Sequence, residues 1–181
     1  MLKAILSRQL DSFERQWGYD ASYMRRLLAA SPTSFFKFGF VSQMVDRKAA
    51  PPEAIAAAGL VGTLAEDCGP CTQIVVDRAI SEGADPDILR AILAGDEGAM
   101  GADAGLAWRF ARASLARDLE PADRERDEIV RRWGEAGLAA IALSLTAARM
   151  YPTLKYALGH GRACSKVVVA GIATPVAPLA A

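Results

Sequence analysis

Residues 51–83 have the sequence PPEAIAAAGLVGTLAEDCGPCTQIVVDRAISEG, and this stretch decides the fold class. Pro52 is placed where the first turn of a helix tolerates proline, and Glu53 adds an acid that favours the helix dipole. The alanine-rich run that follows is helix-prone and predicts a helix that ends just before the two cysteines. A second helix is predicted from about Cys68 to Gly83, a glycine that suits a left-handed C-terminal cap.

The rest of the chain continues this succession of helices, separated by Pro, Gly and Asp. Further helices are predicted over residues 2–16, 21–30, 31–45, 86–95, 101–116, 121–133 and 138–149. Leu138–Arg149 is apolar almost all round, which predicts the central helix of the core. Only Val167–Ile172 has β character, and because a single short strand has no partner, we expect an extended tail or a last helical turn there. The predicted fold class is all-α, one multi-helix domain.

Composition excludes several kinds of partner. The 181 residues include 21 Lys and Arg against 21 Asp and Glu, so the net charge gives no general attraction to nucleic acid or to anionic lipid. The longest uncharged stretches, residues 136–148 and 167–181, are shorter than the roughly 18–20 apolar residues of a membrane span. The first residues lack the pattern of a signal peptide. We therefore expect a cytoplasmic protein with neither nucleic acid nor membrane as a partner.

The candidate chemistry lies in residues 66–73, EDCGPCTQ. Cys68 and Cys71 are spaced so that a disulfide can close with little backbone movement, and a helix start lowers the pKa of a thiol by stabilising the thiolate. In a chain without a secretion signal, this spacing indicates redox or metal chemistry. The alternative is a pair of inert buried cysteines, since free cysteine is among the most buried residue types.

From about Ala50 to Gly161, the order of elements resembles the alkylhydroperoxidase AhpD-like, or carboxymuconolactone decarboxylase-like, family. The order is a proline-started helix, the C-x-x-C pair, an A-x-x-x-G turn, a short helix and a long apolar helix. Its marks are LAEDCGPC at 64–71, RAISEG at 78–83 and GEAGL at 134–138. One domain over 1–181 would then comprise an N-terminal helical extension (1–49), a family-like core (50–161) and a C-terminal tail (162–181).

The resemblance implies an all-helical homo-oligomer with thiol-dependent peroxidase or disulfide oxidoreductase activity. By residue, Cys71 would attack the peroxide and Cys68 would resolve the product into a disulfide. The implied substrates are a peroxide or a small disulfide, with an unidentified thiol reductant and with no bound cofactor or metal. Decarboxylase-type members lack this cysteine pair, which argues against their activity here.

The chain departs from the family pattern in its proton relay. Alkylhydroperoxidase-type members place a His four residues after the second cysteine and a Glu about three turns upstream, where this chain has Val75 and, near the second position, Ala56. Glu66 is the predicted replacement, because a carboxylate two residues before Cys68 can reach a thiol and move its proton. Gln73 is a second candidate for a hydrogen bond in the site.

Three other interpretations remain. Cys-Gly-Pro-Cys is also the active-site tetrapeptide of thioredoxins, but a buried strand should precede it there and the helix-prone residues 54–65 precede it here. A structural zinc site would combine Cys68 and Cys71 with His160 and Cys164. The third alternative is a non-catalytic oligomeric scaffold of the same fold.

The segment Phe35–Val45 predicts an assembly. It holds many large apolar side chains, which must be buried either in the core or between subunits. We therefore expect a homo-oligomer.

Overall fold

The computed structural model describes residues 2–161 and 167–177. The elements are α1 (Leu2–Trp17), α2 (Ser22–Ala30), α3 (Pro32–Gly39), α4 (Pro52–Ala65), α5 (Gly69–Ser81), α6 (Pro86–Ala94), α7 (Gly101–Ala116), α8 (Leu119–Ala157), β1 (Val167–Val169) and β2 (Ile172–Thr174). Short 3₁₀ turns lie at Val41–Gln43 and Glu97–Ala99.

The predicted all-α fold class is confirmed. Within residues 2–161 and 167–177, helices dominate and the sheet consists of the small hairpin β1–β2. Over the same residues, no helix combines the length and the apolarity that a bilayer span requires. The helix over 54–65 excludes the thioredoxin arrangement, in which a strand leads into the motif. The division into extension, core and tail stays a prediction.

The helix at the centre of the core is α4. The segment Leu138–Arg149, predicted to be central, has one face exposed to solvent. Each residue from Ala54 to Thr63 is buried, and α4 packs against both α7 and α8. In the later segment, Ala139 and Thr146 are exposed. The reason is side-chain size, because a helix rich in Ala and Gly, such as α4, lets neighbouring helices approach from several sides.

Gly62 allows α4 and α8 to approach closely. A Cβ at this position would lie 2.8 Å from the Leu145 carbonyl oxygen, closer than real Cβ contacts, and 3.0 Å from the Ala148 Cβ. Nearby, Ser144 Oγ donates a 2.9 Å hydrogen bond to the carbonyl oxygen of Ile55. These contacts fix α8 against α4 without an intervening layer of large side chains.

The two helices predicted over 121–133 and 138–149 belong to one longer element. They are the two helical stretches of α8, which meet at a break where Gly134 has φ 68° and ψ −177°. The second stretch continues through Pro152 to Ala157, beyond the predicted end. This extension brings Tyr156 to the cysteine motif.

The N-terminal helices α1–α3 form a second hydrophobic cluster. Its buried members are Leu6, Leu10, Tyr19, Ala21, Tyr23, Met24, Leu28 and Phe35. Ile74 of α5 and Leu154 of α8 pack against this cluster as partly buried neighbours. The N-terminal helices therefore cover one side of α5 and of the end of α8.

The helix predicted through Val45 ends earlier, at Gly39, and Val41–Gln43 forms a 3₁₀ turn. Its apolar side chains divide between two environments. Phe35 is buried in the N-terminal cluster, whereas Phe36 and Phe40 are exposed and stack edge to face with ring centroids 5.0 Å apart. Homo-oligomer formation stays a prediction, in which these exposed rings would contact another subunit.

The C-terminal segment forms a hairpin rather than the predicted tail or helical turn. β1 and β2 pair antiparallel, with Val169 opposite Ile172. Ala170 and Gly171 connect them with φ values of 49° and 81°, and two positive φ angles suit a two-residue hairpin loop. The stretch that looked like one strand therefore contains the turn and the start of its own partner.

Candidate redox site and cavity

The cysteine pair lies at the junction of α4 and α5. Asp67 has a positive φ of 47°, and Cys68 is the N-cap of α5. The hydroxyl of Tyr156 lies 2.9 Å from the Glu66 carbonyl oxygen and 2.8 Å from that of Asp67, within hydrogen-bonding distance of both. The end of α8 thus fixes the tight turn that leads into the first cysteine.

Cys68 and Cys71 are joined by a disulfide, with Cα atoms 5.2 Å apart. Cys68 is 2% exposed and Cys71 is 6% exposed, so neither side chain is open to a large partner. The backbone N–H of Thr72 donates to the Cys68 carbonyl oxygen at 2.9 Å, and Thr72 Oγ1 lies 3.0 Å from Thr63 Oγ1. These bonds position the first turn of α5 on the end of α4.

Cys71 lies in the first turn of α5, as the sequence predicts. Backbone N–H groups in a first turn have no partner within the helix, and the positive end of the helix dipole lies there. Both features stabilise a thiolate over a thiol. Cys71 therefore lies at the positive end of the α5 dipole.

A cavity of about 260 Å³ lies beside the pair, between α4, α5 and α8 on one side and the N-terminal helices on the other. The N-terminal part contributes Leu10, Phe13, Tyr19, Tyr23, Met24 and Val45, and the remainder contributes Ile55, Ala56, Cys71, Ile74, Val75 and Tyr151, among others. Most of the lining is apolar. An organic molecule of modest size is the kind of ligand that such a cavity accepts.

The two cysteines have different positions relative to this cavity. Cys71 is part of its lining, and Cys68 does not belong to the lining residues that the structure describes. A molecule in the cavity therefore meets Cys71 first. The roles implied by the family resemblance, in which Cys71 attacks and Cys68 resolves, stay a prediction.

Tyr19 is the hydroxyl group next to Cys71. Its oxygen lies 3.8 Å from Cys71 Sγ and 3.4 Å from the hydroxyl oxygen of Tyr23. Burial raises the pKa of the Tyr19 hydroxyl, and the nearby Asp20 carboxylate adds to the rise. Burial also raises the pKa of Tyr23. Both tyrosines therefore keep their protons at neutral pH, and the Tyr19 hydroxyl, which donates to the Tyr23 oxygen in the disulfide form, can turn toward Cys71 Sγ.

Charged side chains gather at the other end of the cavity. Arg47, Arg78 and Glu82 all belong to its lining, and Arg47 Nη1 lies 3.2 Å from Glu82 Oε2. Burial lowers the pKa of Arg78, and the neighbouring Arg47 cation lowers it further. This guanidinium remains charged, because arginine does not deprotonate in proteins.

Glu66, the predicted proton relay, interacts with α8. Arg149 Nε donates a 2.7 Å hydrogen bond to Glu66 Oε1, and Thr153 Oγ1 donates to Oε2 at 3.4 Å. Glu66 is not a member of the cavity lining among the described residues. Its role in proton transfer stays a prediction.

Gln73, the other candidate polar residue, holds the hairpin. Its Nε2 donates to the Val168 carbonyl oxygen at 2.8 Å, and its Oε1 accepts from the Val168 N–H at 2.7 Å. The side-chain amide thus continues the pattern of a β ladder and positions β1 against α5.

The zinc interpretation needs His160, which the structure describes, and Cys164, which it does not. His160 follows the end of α8, and its N–H donates to the Lys155 carbonyl oxygen at 3.0 Å. Cys164 lies outside the described residues. In the part of the chain that is described, no group of three or more His, Cys, Asp and Glu side chains is arranged to hold a metal ion.

Sequence reasoning missed Tyr19, Tyr23 and Arg78. The available signals were two tyrosines four residues apart and an arginine two helical turns after Cys71 on α5. Neither signal points to a cavity, because Tyr19 is 52 residues from Cys71 in the chain. Their function depends on how the N-terminal helices pack against α5.

Comparisons of the chain with protein-family models, with curated proteins and with solved structures give no match. The protein is an all-α protein with a buried Cys-x-x-Cys disulfide beside an apolar cavity.

Proposed function

We propose that this chain is an AhpD-like thiol-dependent peroxidase that reduces a small organic peroxide in its cavity. The observation behind the proposal is the position of Cys71, which lines the cavity. Cys68 forms the disulfide with Cys71 and is not among the described lining residues. An attacking thiol must face the substrate, and a resolving thiol needs only to reach the attacking sulfur.

The burial of both cysteines favours a small substrate. Side chains that are 2% and 6% exposed cannot meet a disulfide on the surface of a folded protein without local opening. A small peroxide or a small disulfide entering the cavity needs no such opening. This argues for small-molecule chemistry over exchange with protein disulfides.

Two positions that depart from the family pattern lie beside Cys71. Val75 and Ala56 stand at or near the places of the family's His and Glu, and both line the cavity. In this chain those places are apolar. Tyr19 provides a hydroxyl next to the same sulfur from the opposite wall.

In the first step, the Cys71 thiolate attacks the terminal oxygen of the peroxide R–O–O–H. A sulfur–oxygen bond forms, the O–O bond breaks, and the alkoxide leaves and takes up a proton to become the alcohol. Cys71 is oxidised to a sulfenic acid and the peroxide is reduced by two electrons. Tyr19 would donate a hydrogen bond to the thiolate before attack, because its raised pKa keeps it protonated.

In the second step, the Cys68 thiolate attacks the Cys71 sulfur. The sulfur–sulfur bond forms, and hydroxide leaves and takes up a proton to become water. A small dithiol then reduces the disulfide by exchange and becomes a disulfide itself. A compartment that keeps thiols reduced, such as the cytoplasm predicted from the sequence, would supply this reductant.

Serine variants of the three cysteines test the proposal. With a peroxide and a small dithiol, Cys71→Ser should abolish peroxide consumption. In a separate assay without added thiol, Cys68→Ser should react with one peroxide per chain and leave a sulfenic acid on Cys71 that a sulfenic-acid probe labels. Cys164→Ser is the matched control and should react as the parent protein does. Circular dichroism would verify that each variant keeps its helices.

Two results would overturn the proposal. One is peroxide consumption by Cys71→Ser at the rate of the parent protein. The other is labelling of Cys68, not Cys71, in the variants that retain a single motif cysteine. Stoichiometric zinc bound to the reduced protein, lost in Cys68→Ser, would instead favour the structural-zinc alternative.

A further inference from the structure

The cavity has a reactive end and a charged end, joined by one face of α5. Arg78 follows Cys71 by two helical turns, which places the two residues on one face of α5 about 10 Å apart along its axis. Ile74 and Val75 lie between them and also line the cavity. A ligand lying along α5 would therefore touch a sulfur, an apolar surface and a guanidinium in that order.

The charged end has an excess of one positive charge. Arg47 is paired with Glu82 at 3.2 Å, and Arg78 has no ion pair with any residue in 2–161 or 167–177. Two cations and one anion thus face this end. Arg78 is also partly buried, and burial is the main cause of its lowered pKa, which the nearby Glu82 carboxylate offsets only in part. An anion placed there would offset the cost of desolvating the guanidinium.

We propose that the substrate is an apolar hydroperoxide with a single carboxylate at its far end, bound by Arg78 while the peroxide group meets Cys71. This inference rests on the proposed function and names its substrate class. The carboxylate matches the planar fork of the guanidinium, which can form two parallel hydrogen bonds to it. The apolar body of the molecule would lie against Ile74 and Val75.

Charge and volume favour a monocarboxylate over a phosphate. A phosphate monoester has a charge of about −1.5 to −2 at neutral pH, which exceeds the single uncompensated charge of this end. The rest of the lining is largely apolar and would leave the surplus charge unpaired. The cavity volume of about 260 Å³ is also close to the lower limit of ordinary ligand pockets, about 300 Å³.

Binding of unreactive ligands tests the inference separately from the redox reaction. Octanoate, octanol and octyl phosphate would be titrated calorimetrically into the oxidised protein. Octanoate should bind at least 10-fold more tightly than either of the others. Arg78→Met should weaken octanoate binding about 10-fold to 100-fold, the range of a hydrogen bond to a charged group. Arg124→Met, on the exposed side of α8, is the matched control and should bind as the parent protein does.

A kinetic experiment completes the test. ω-Hydroperoxy-octanoate and its methyl ester would be compared as substrates, and the kcat/KM ratio of acid to ester should fall about 10-fold or more in Arg78→Met. Equal binding of octanoate and octanol, or an unchanged ratio, would overturn the carboxylate inference while peroxide reduction at Cys71 stands. Octanoate binding without any peroxide reduction would overturn the proposed function.

Discussion

The helices around α4 and the N-terminal helices bury their apolar residues in different ways. Around α4, small residues allow close helix contacts, as at Gly62, where no room is left for a Cβ. In the N-terminal cluster, large side chains such as Tyr19, Tyr23 and Phe35 provide the contacts, and a cavity remains between them and α5. The tightly packed region fixes the backbone of the cysteine motif, and the looser region supplies the wall and the hydroxyl group that face Cys71.

This difference predicts two levels of stability. The α4 core is continuous with α7 and α8, whereas the N-terminal cluster meets the rest mainly through partly buried side chains such as Ile74 and Leu154. Regions with fewer buried contacts to the rest of a molecule open at lower free energy. The N-terminal helices should therefore open before the α4 core does.

The largest expected effect is on the core. Leu60 and Leu28 are both buried leucines, one in α4 and one in the N-terminal cluster. Leu60→Ala should lower the global free energy of unfolding by about 2–5 kcal/mol, measured by denaturant titration. Leu28→Ala should chiefly reduce the hydrogen-exchange protection of α1–α3 and leave that of α4 almost unchanged. Equal loss of protection in α4 from both variants would show that the two regions unfold as one unit.

The next effect concerns Cys71. Tyr19→Phe should slow the first oxidation step about 10-fold to 100-fold, because a hydrogen bond to a charged sulfur contributes about 1.5–3 kcal/mol. The inflection of the rate with pH should move upward, since the thiolate loses a donor. Stopped-flow oxidation across a pH series measures both quantities. Tyr23→Phe is the control with the smaller effect, and an equal effect of both variants would mean that Tyr19 has no special role.

The raised pKa values of the two tyrosines predict a loss of stability in alkaline solution. Above about pH 10 the unfolded chain releases the phenolic protons, whereas the folded chain retains them because Tyr19 and Tyr23 are buried. The unfolded state then binds fewer protons, so stability falls as pH rises through this range. Tyr23→Phe should weaken that fall in denaturant titrations between pH 9 and 11. An identical alkaline slope would contradict the assignment.

The smallest effect is expected at Glu66. Its carboxylate is bonded to Arg149 and Thr153 and does not line the cavity among the described residues. Glu66→Gln should therefore change the oxidation rate less than Tyr19→Phe does. A larger effect of Glu66→Gln would favour the sequence-based hypothesis that this carboxylate relays the proton.

Local signals predicted much of the fold. Pro52 and Pro86 begin helices as expected, and Asp85 caps α6 by accepting a 2.8 Å hydrogen bond from the Asp87 N–H. The cysteine pair at the start of α5 was predictable for the same reason, because spacing and helix start lie within a few residues. These features depend on neighbours in the chain and need no knowledge of packing.

The features that the sequence did not predict depend on packing between residues far apart in the chain. The sequence pattern favoured Leu138–Arg149 as the central helix of the core. In the structure α4 is central instead, because its small side chains let other helices pack around it. The strand that pairs with Val167–Val169 begins at Ile172, in the same apolar run. The run could not be divided from the sequence, because the turn depends on the positive φ angles of Ala170 and Gly171. Tyr19 could not be assigned to the site because its contact with Cys71 exists only after the N-terminal helices pack.

The most direct test of the account is the fate of the three thiols after one equivalent of peroxide. The reduced protein would be oxidised, its remaining thiols trapped by an alkylating reagent, and its peptides identified by mass spectrometry. The account predicts the loss of two thiols per chain, a Cys68–Cys71 disulfide that a small dithiol reverses, and alkylated Cys164. Motif thiols that stay reduced, or a disulfide that includes Cys164, would contradict it.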